Sequence, residues 1–191
     1  MKTVQIRRFI LLDNKYKTKI ISGKKVTTVR YGKYEAKPGS EVYIVITPSD
    51  TAIAKAKIKE IRTKRVKELT NEDAKLDGFS NVKELVRELS RIYGELYGDD
   101  EVTIIEFEDV KPLREGIPLK WLKGLNYRDP YEIVELALDN FSSLKLTQDV
   151  EIILKRIKER GVREAAKNFG PKRVQQALLR AYHALYDRGL L

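Results

Sequence analysis

EVYIVITPSDTAIAKAKIKEI, residues 41–61, decides the fold class. Residues 41–47 alternate apolar and β-branched side chains, and residues 53–61 set Lys55, Lys57 and Lys59 on one face against Ala54, Ala56 and Ile58 on the other. A period of two marks strands, whose successive side chains point to opposite faces. Between the runs, TPSD (47–50) supplies a proline with preset φ and an aspartate that can bond its own backbone, so the pair reads as a hairpin.

Outward from the hairpin, EVTIIEFEDV (101–110) reads as a third strand and IRRFILL (6–12) as a fourth. Two helices fall between strands. TNEDAKL (70–76) is capped by Thr70 or Asn71, and NVKELVRELSRIYG (81–94) repeats Val82, Leu85, Val86, Leu89, Ile92 and Tyr93 at helical period. This order predicts an α+β fold over residues 1–110, a small mixed β-barrel with inserted helices. Residues 111–128, with Pro112, Gly116, Pro118 and Gly124, read as a linker or docking segment, and Trp121 is expected to anchor it on the barrel. Asp129-Pro130 followed by Glu132 is a helix start, with an acid at the cap and proline at the first helical position. Helices are expected over 130–141, 149–160, 162–169 and 171–188, with Gly161 and Gly170 as C-caps, giving a basic all-helical unit from 129 to 191.

Composition narrows the function classes. With 42% hydrophobic and 35% charged residues in 191, the chain is expected to be globular and soluble rather than disordered. It has no cysteine and one histidine, so no metal site and no cofactor is expected. No apolar run approaches the ~18 residues a membrane span needs, and the N-terminal stretch lacks a small-residue cleavage site, so a cytoplasmic protein is expected. The net charge of +10 is unevenly spread. Residues 1–67 hold 18 Lys and Arg against 5 Asp and Glu, and residues 68–110 hold 4 against 13. A basic face beside an acidic segment fits a polyanion partner such as RNA; a charged, thermally adapted surface would read the same way. KIKEIRTKRVK (57–67) concentrates the basic signal, and Lys55, Lys57, Lys59, Arg62, Lys64 and Arg65 are candidates to track phosphates or, alternatively, to guard a strand edge against aggregation. Tyr31, Tyr34 and Tyr43 could stack a base or serve as half-buried sheet aromatics.

One further stretch carries chemistry. SGKKVTTVR (22–30) reads as a helix or turn ending at Gly23 and feeding a strand, which would project Lys25, Thr28 and Arg30 into one concavity. Arg30 suits bidentate contact with phosphate or a planar acceptor, and a partly desolvated Lys25 would lose its proton more easily than an exposed lysine. Thr28 would then have a base beside it, the logic of an activated hydroxyl. The alternative is an ion-pair cluster beside a strand threonine.

Here the sequence resembles the ASCH domain family, small barrels of the PUA-like superfamily, over about residues 3–108. Gly23-x-Lys25-x-x-Thr28-x-Arg30 is similar to its G-x-K-x-x-(E/T)-x-R; KPGSEVYIV from Lys37 is similar to its K-x-G-D-x-V; Asp77-Gly78-Phe79-Ser80, followed by a helix ending in Ile92-Tyr93, resembles E-G-F-x-S with a later tyrosine; VTIIEFE is similar to V-x-V-I-x-F. The resemblance implies a cleft for RNA or a modified nucleoside. It implies in one branch an amidohydrolase acting on N4-acetylcytidine through a lysine, a threonine and a glutamate, and in some members a ribonuclease. The three amidohydrolase positions fall on Lys25, Thr28 and Asp77, where aspartate is one methylene shorter than the family's acid.

In the helical unit, Ala166 four residues before Gly170 is reminiscent of a helix-turn-helix, but Pro171 and the polar Gln176 favour simple helix packing.

Overall fold

The structure, a computed structural model, describes residues 2–191. They form two compact units that divide between Leu113 and Arg114.

The strands are β1 (Val4–Gln5), β2 (Phe9–Asp13), β3 (Thr27–Tyr31), β4 (Tyr34–Glu35), β5 (Glu41–Thr47), β6 (Thr51–Arg65) and β7 (Glu101–Pro118), the last of which continues past the end of the first unit. The helices of the first unit are α1 (Lys17–Ile21), α2 (Asn71–Leu76) and α3 (Val82–Tyr93). Five strands make one sheet in the order β2-β5-β6-β7-β3, and β1 pairs with β4 separately. The α+β class holds, but the terminal strands β2 and β3 do not pair among the described residues, so the sheet is not closed into a barrel.

The hairpin of residues 41–61 forms as its alternation predicts, β5 running antiparallel to β6 with Val42 opposite Ala56 and Ile44 opposite Ala54. Its burial goes further than alternation requires. Val42, Tyr43, Ile44, Val45 and Ile46 are all buried, because β5 lies inside the sheet and both of its faces are covered. β7 likewise separates two apolar clusters: Ile105 and Phe107 belong to one with Ile10, Ile44 and Ile58, and Val102 and Ile104 to another with Val29, Leu85 and Leu89.

Three local devices place the candidate site. α1 ends where Gly23 adopts φ +74° and donates its N–H to the Ile20 carbonyl at 3.1 Å, after which the chain enters β3. Thr70 caps α2 by accepting from Asp73 N, and Asp73 returns a bond to the cap backbone. The end of α2 is stitched to the start of β3 by Val26 N donating to Leu76 O at 2.9 Å, which sets Asp77 beside Lys25.

Residues 111–128, expected as a linker, instead hold the last part of β7 and a helix, α4 (Leu119–Gly124), in which Trp121 is buried. Leu113, Glu115 and Ile117 are less exposed than the residues between them, so strand alternation persists; the prolines and the acid conceal it from a reading of the sequence. The second unit continues with α5 (Pro130–Asp139), α6 (Phe141–Leu144), α7 (Gln148–Arg160), α8 (Val162–Phe169) and α9 (Pro171–Asp187). Asp129 accepts from Tyr131 N with Pro130 in the first turn, and Gly161 and Gly170 end their helices at φ +93° and +87°. Ile133, Leu154, Ile157, Val174, Leu178 and Leu185 are among its buried apolar side chains.

Glu115 performs a capping role that no local pattern announces. Gly161, at the cap of α8, has no side chain to satisfy the first free N–H groups; the Glu115 carboxylate accepts from Val162 N, from Arg163 N at 3.1 Å and from the Tyr131 hydroxyl. Glu115→Ala is therefore expected to cost about 2 kcal/mol in urea unfolding of the full chain, the loss of charge-assisted bonds to orphaned donors. Unchanged stability would show that water caps α8 equally well.

Candidate functional site

Lys25 is the centre of the site. Its residue is 2% exposed, and Nζ donates to the Asp77 carbonyl at 2.9 Å and also to Asp77 Oδ1. Thr27 Oγ1 lies 3.5 Å from the same carboxylate oxygen. The ring of Tyr16 sits 4.7 Å from Nζ, and that of Phe79 at 6.0 Å, so the cation is held against aromatic faces rather than water. Gly78, at φ +86°, carries the chain past this pair; a Cβ there would lie 3.2 Å from Lys19 Cδ and 3.4 Å from Lys25 Cβ.

Burial dominates the electrostatics of both partners. It pulls the Lys25 ammonium below its ordinary value, against the attraction of Asp77, and lifts the Asp77 carboxyl to about 6, against the attraction of Lys25. Both shifts favour the uncharged forms, so moving a proton between the two costs less here than it would at the surface. A lysine in this state gives up its proton, and so becomes available as a base, at a lower pH than an exposed lysine.

A cleft of about 320 Å³ opens over the pair. Thr28 and Arg30 line it from β3, Asp13 and Leu11 from the end of β2, and Glu88, Arg91 and Tyr93 from α3. Thr28 is 4% exposed and stands opposite Ile105 in the sheet. Arg30 donates to the Leu11 carbonyl, which aims its guanidinium along the cleft wall. Glu88 anchors the opposite wall: Arg91 Nε and Nη2 bond it at 3.0 and 2.8 Å, Tyr16 donates at 3.0 Å, and Lys15 pairs with it. The Arg91 bonds, with those of Lys15 and Tyr16, hold its carboxyl down at about 2 although partial burial works against them.

The candidates picked from sequence divide into two groups. Lys25, Thr28, Arg30 and Asp77 come together at the cleft, and Tyr31 stands next to it, its ring 5.7 Å from that of Tyr93. Lys55, Lys57, Lys59, Arg62, Lys64 and Arg65 lie along β6 and none of them lines the cleft. Their charges face acids: Lys55 pairs with Glu41, Lys57 with Asp109, Lys59 with Glu106, Arg62 with Glu60 and Glu106, Lys64 with Asp73, and Arg65 with Asp99. The acidic segment 68–110 thus supplies most of the partners for the basic strand beside it. Tyr43, a stacking candidate, is buried, with Lys55 Nζ 5.3 Å from its ring.

Tyr16, Glu88 and Arg91 were not anticipated. Glu88 and Arg91 are three apart on α3 and flank the apolar positions Leu85, Leu89 and Ile92, so a helical projection could have placed them beside the buried face. For Tyr16 the sequence carries no comparable signal.

The ASCH domain protein of Zymomonas mobilis superposes with a TM-score of 0.50 at 22% identity, over 67% of this chain and 81% of that one, and shows the α+β, PUA-like fold. The chain is also similar to the ASCH domain from Lactobacillus crispatus JV V101, with a TM-score of 0.41 at 12% identity over 59% of this chain and 81% of that one. For a protein from Enterococcus faecalis V583 the values are 0.43 and 18%, over 52% and 69%. No curated protein matches the sequence. The ASCH domain profile matches residues 7–111, more than half of the 191, and the chain belongs to the ASCH domain family.

Proposed function

We propose that the first unit binds RNA through one nucleotide, or a modified nucleoside, in the cleft over Lys25 and Asp77. The observation that carries this reading is the buried ion pair opening, together with Thr28 and Arg30, into a cleft of about 320 Å³. That volume is at the small end of ligand sites, suited to one nucleoside rather than to a stretch of polymer. Ile92 and Tyr93 are exposed at the cleft and offer apolar surface for a base, while Arg30 and the Lys25–Asp77 pair offer donors and acceptors for its polar edge.

A second reading, hydrolysis of the acetyl amide of N4-acetylcytidine, is favoured by the lowered basicity of Lys25 at a cleft that Thr28 also lines. Thr28 Oγ would attack the acetyl carbon while neutral Lys25 takes its proton. Collapse of the tetrahedral intermediate would break the bond to N4, with that proton passing to the leaving amine. Water would then cleave the acetyl-threonine, releasing acetate. Arg30, which lines the same cleft, would stabilise the developing oxyanion.

One experiment tests both readings. N4-acetylcytidine is titrated into the protein by calorimetry, and the mixture is chromatographed for cytidine, with Thr28→Ala and Arg30→Gln in parallel. The expected result is binding that Arg30→Gln weakens by about tenfold, one charge-assisted contact. Cytidine formed by the wild type and not by Thr28→Ala establishes hydrolysis. Binding without cytidine leaves the binding reading standing and ends the hydrolytic one, and absence of binding to either acetylated or plain cytidine overturns the nucleoside reading.

A further inference from the structure

We propose that the second unit holds the phosphate backbone of a single-stranded nucleic acid in the groove between α9 and the start of α7. This site lies wholly within Arg114–Leu191 and is independent of the cleft reading.

Arg173, Arg180 and Arg188 are seven and eight residues apart, two helical turns each, so they share one face with Gln176, His183 and Asp187. Lys145, in a left-handed conformation at the end of α6, joins this face from across the groove. Lys145, Arg180, His183 and Arg188 line one cavity of about 510 Å³ with Thr147 and Asp187. Arg173 and Arg180 line a second of about 200 Å³ with Asp149 and Gln176. Arg180 and Val150 belong to both, so the two cavities form one continuous groove.

These cations differ from those on β6: among the described residues, Lys145, Arg173, Arg180 and Arg188 form no ion pair within 4.0 Å, whereas each of the six candidates on β6 has at least one. Asp149 and Asp187 line the groove as well and leave it net positive. Like charges in a row on one helix repel, and a bound polyanion relieves that repulsion. From Arg173 to Arg188 the row is about 22 Å long at 1.5 Å per residue. A small anion would need cations that converge on a point; a row of this length matches successive phosphates of a strand. A lipid surface fits poorly, because Val174, Ala177, Leu178, Ala181 and Leu185 of α9 are buried in the protein and no large apolar side chain on this face is exposed for insertion.

The test measures anisotropy of a fluorescein-labelled oligouridylate with the full chain, over a series of salt concentrations. The triple variant Arg173→Gln/Arg180→Gln/Arg188→Gln is expected to bind at least about tenfold more weakly and to flatten the slope of log K against log salt by about 2, three contacts at ~0.7 each. Lys155→Gln, which removes a cation already paired with Glu151 at 2.7 Å, is expected to change neither. An oligodeoxythymidylate is expected to compete equally, because the contacts go to phosphates. Equal affinity and slope in wild type and triple variant overturn the proposal, as does triple-variant-sensitive capture by phosphatidylserine vesicles without binding to either oligonucleotide. All substituted residues are exposed, so the fold is retained, and failure here leaves the cleft reading untouched.

Discussion

Asp77→Ala is expected to destabilise the protein by about 3–5 kcal/mol in urea unfolding at neutral pH, the cost of removing one partner from a buried ion pair. Lys25 is then left with its cation among Tyr16, Phe79 and backbone, having lost both the carboxylate and the bond that raised its proton affinity. The remedy open to the folded protein is to shed that proton, which gives the variant a distinctive pH dependence. Lys25 already has a lowered pKa in the wild type, and loss of Asp77 lowers it further. The unfolded chain binds more protons than the folded one between that lowered value and about 10.4, so stability of the variant rises with pH across this window and the deficit is gone above it. The double variant Lys25→Met/Asp77→Leu is expected to recover most of the stability, because apolar groups need no counter-charge. A flat pH profile for Asp77→Ala, or a double variant as unstable as the single, would show that the pair is not what positions these side chains.

If the cleft hydrolyses N4-acetylcytidine, Lys25→Met is expected to lower that turnover by about 10²–10⁴-fold, the usual worth of a positioned general base. Its effect on folding is expected to be smaller than that of Asp77→Ala, since the Asp77 carboxyl is already lifted to about 6 by burial and becomes neutral readily when its cation is removed. If neutral Lys25 is the base, wild-type kcat/KM rises with pH and levels off at the pKa of Lys25, below the ordinary lysine range. That rise disappears in the variant. Equal turnover in Lys25→Met and wild type would remove Lys25 from the chemistry and leave it a structural role.

The parts of the fold that sequence made legible are those written in short-range periodicity. The hairpin of residues 41–61 was visible because lysines and small apolar residues alternate along β6, and the C-caps because Gly161 and Gly170 interrupt helical patterns where a left-handed residue is needed. The end of β7 was not legible: Pro112, Gly116 and Pro118 read as breakers, although Leu113, Glu115 and Ile117 keep the alternation of a strand. The candidate site was half legible. Lys25, Thr28 and Arg30 sit within one turn and strand, and their spacing alone implied a shared concavity. The opposite wall came from Tyr16 ahead of α1, from Asp77 and Phe79 just after α2 and from α3, and carried no spacing signal relative to them.

Charge shows the same division most clearly. The sequence by itself determined how many cations each segment carries, and its short-range periods marked the hairpin of residues 41–61 and the helix ends at Gly161 and Gly170. Only the tertiary structure decided which charges are cancelled. The row on β6 that looked most basic is matched by acids from β7, α2 and their neighbours, while among the described residues Arg173 and Arg180 of α9 form no ion pair. It also decided that Lys25 is buried beside Asp77, 52 positions away, where desolvation sets its proton affinity. Composition and period are properties of neighbours along the chain; charge pairing and burial depend on neighbours in space, and these exist only once the sheet and helices have packed.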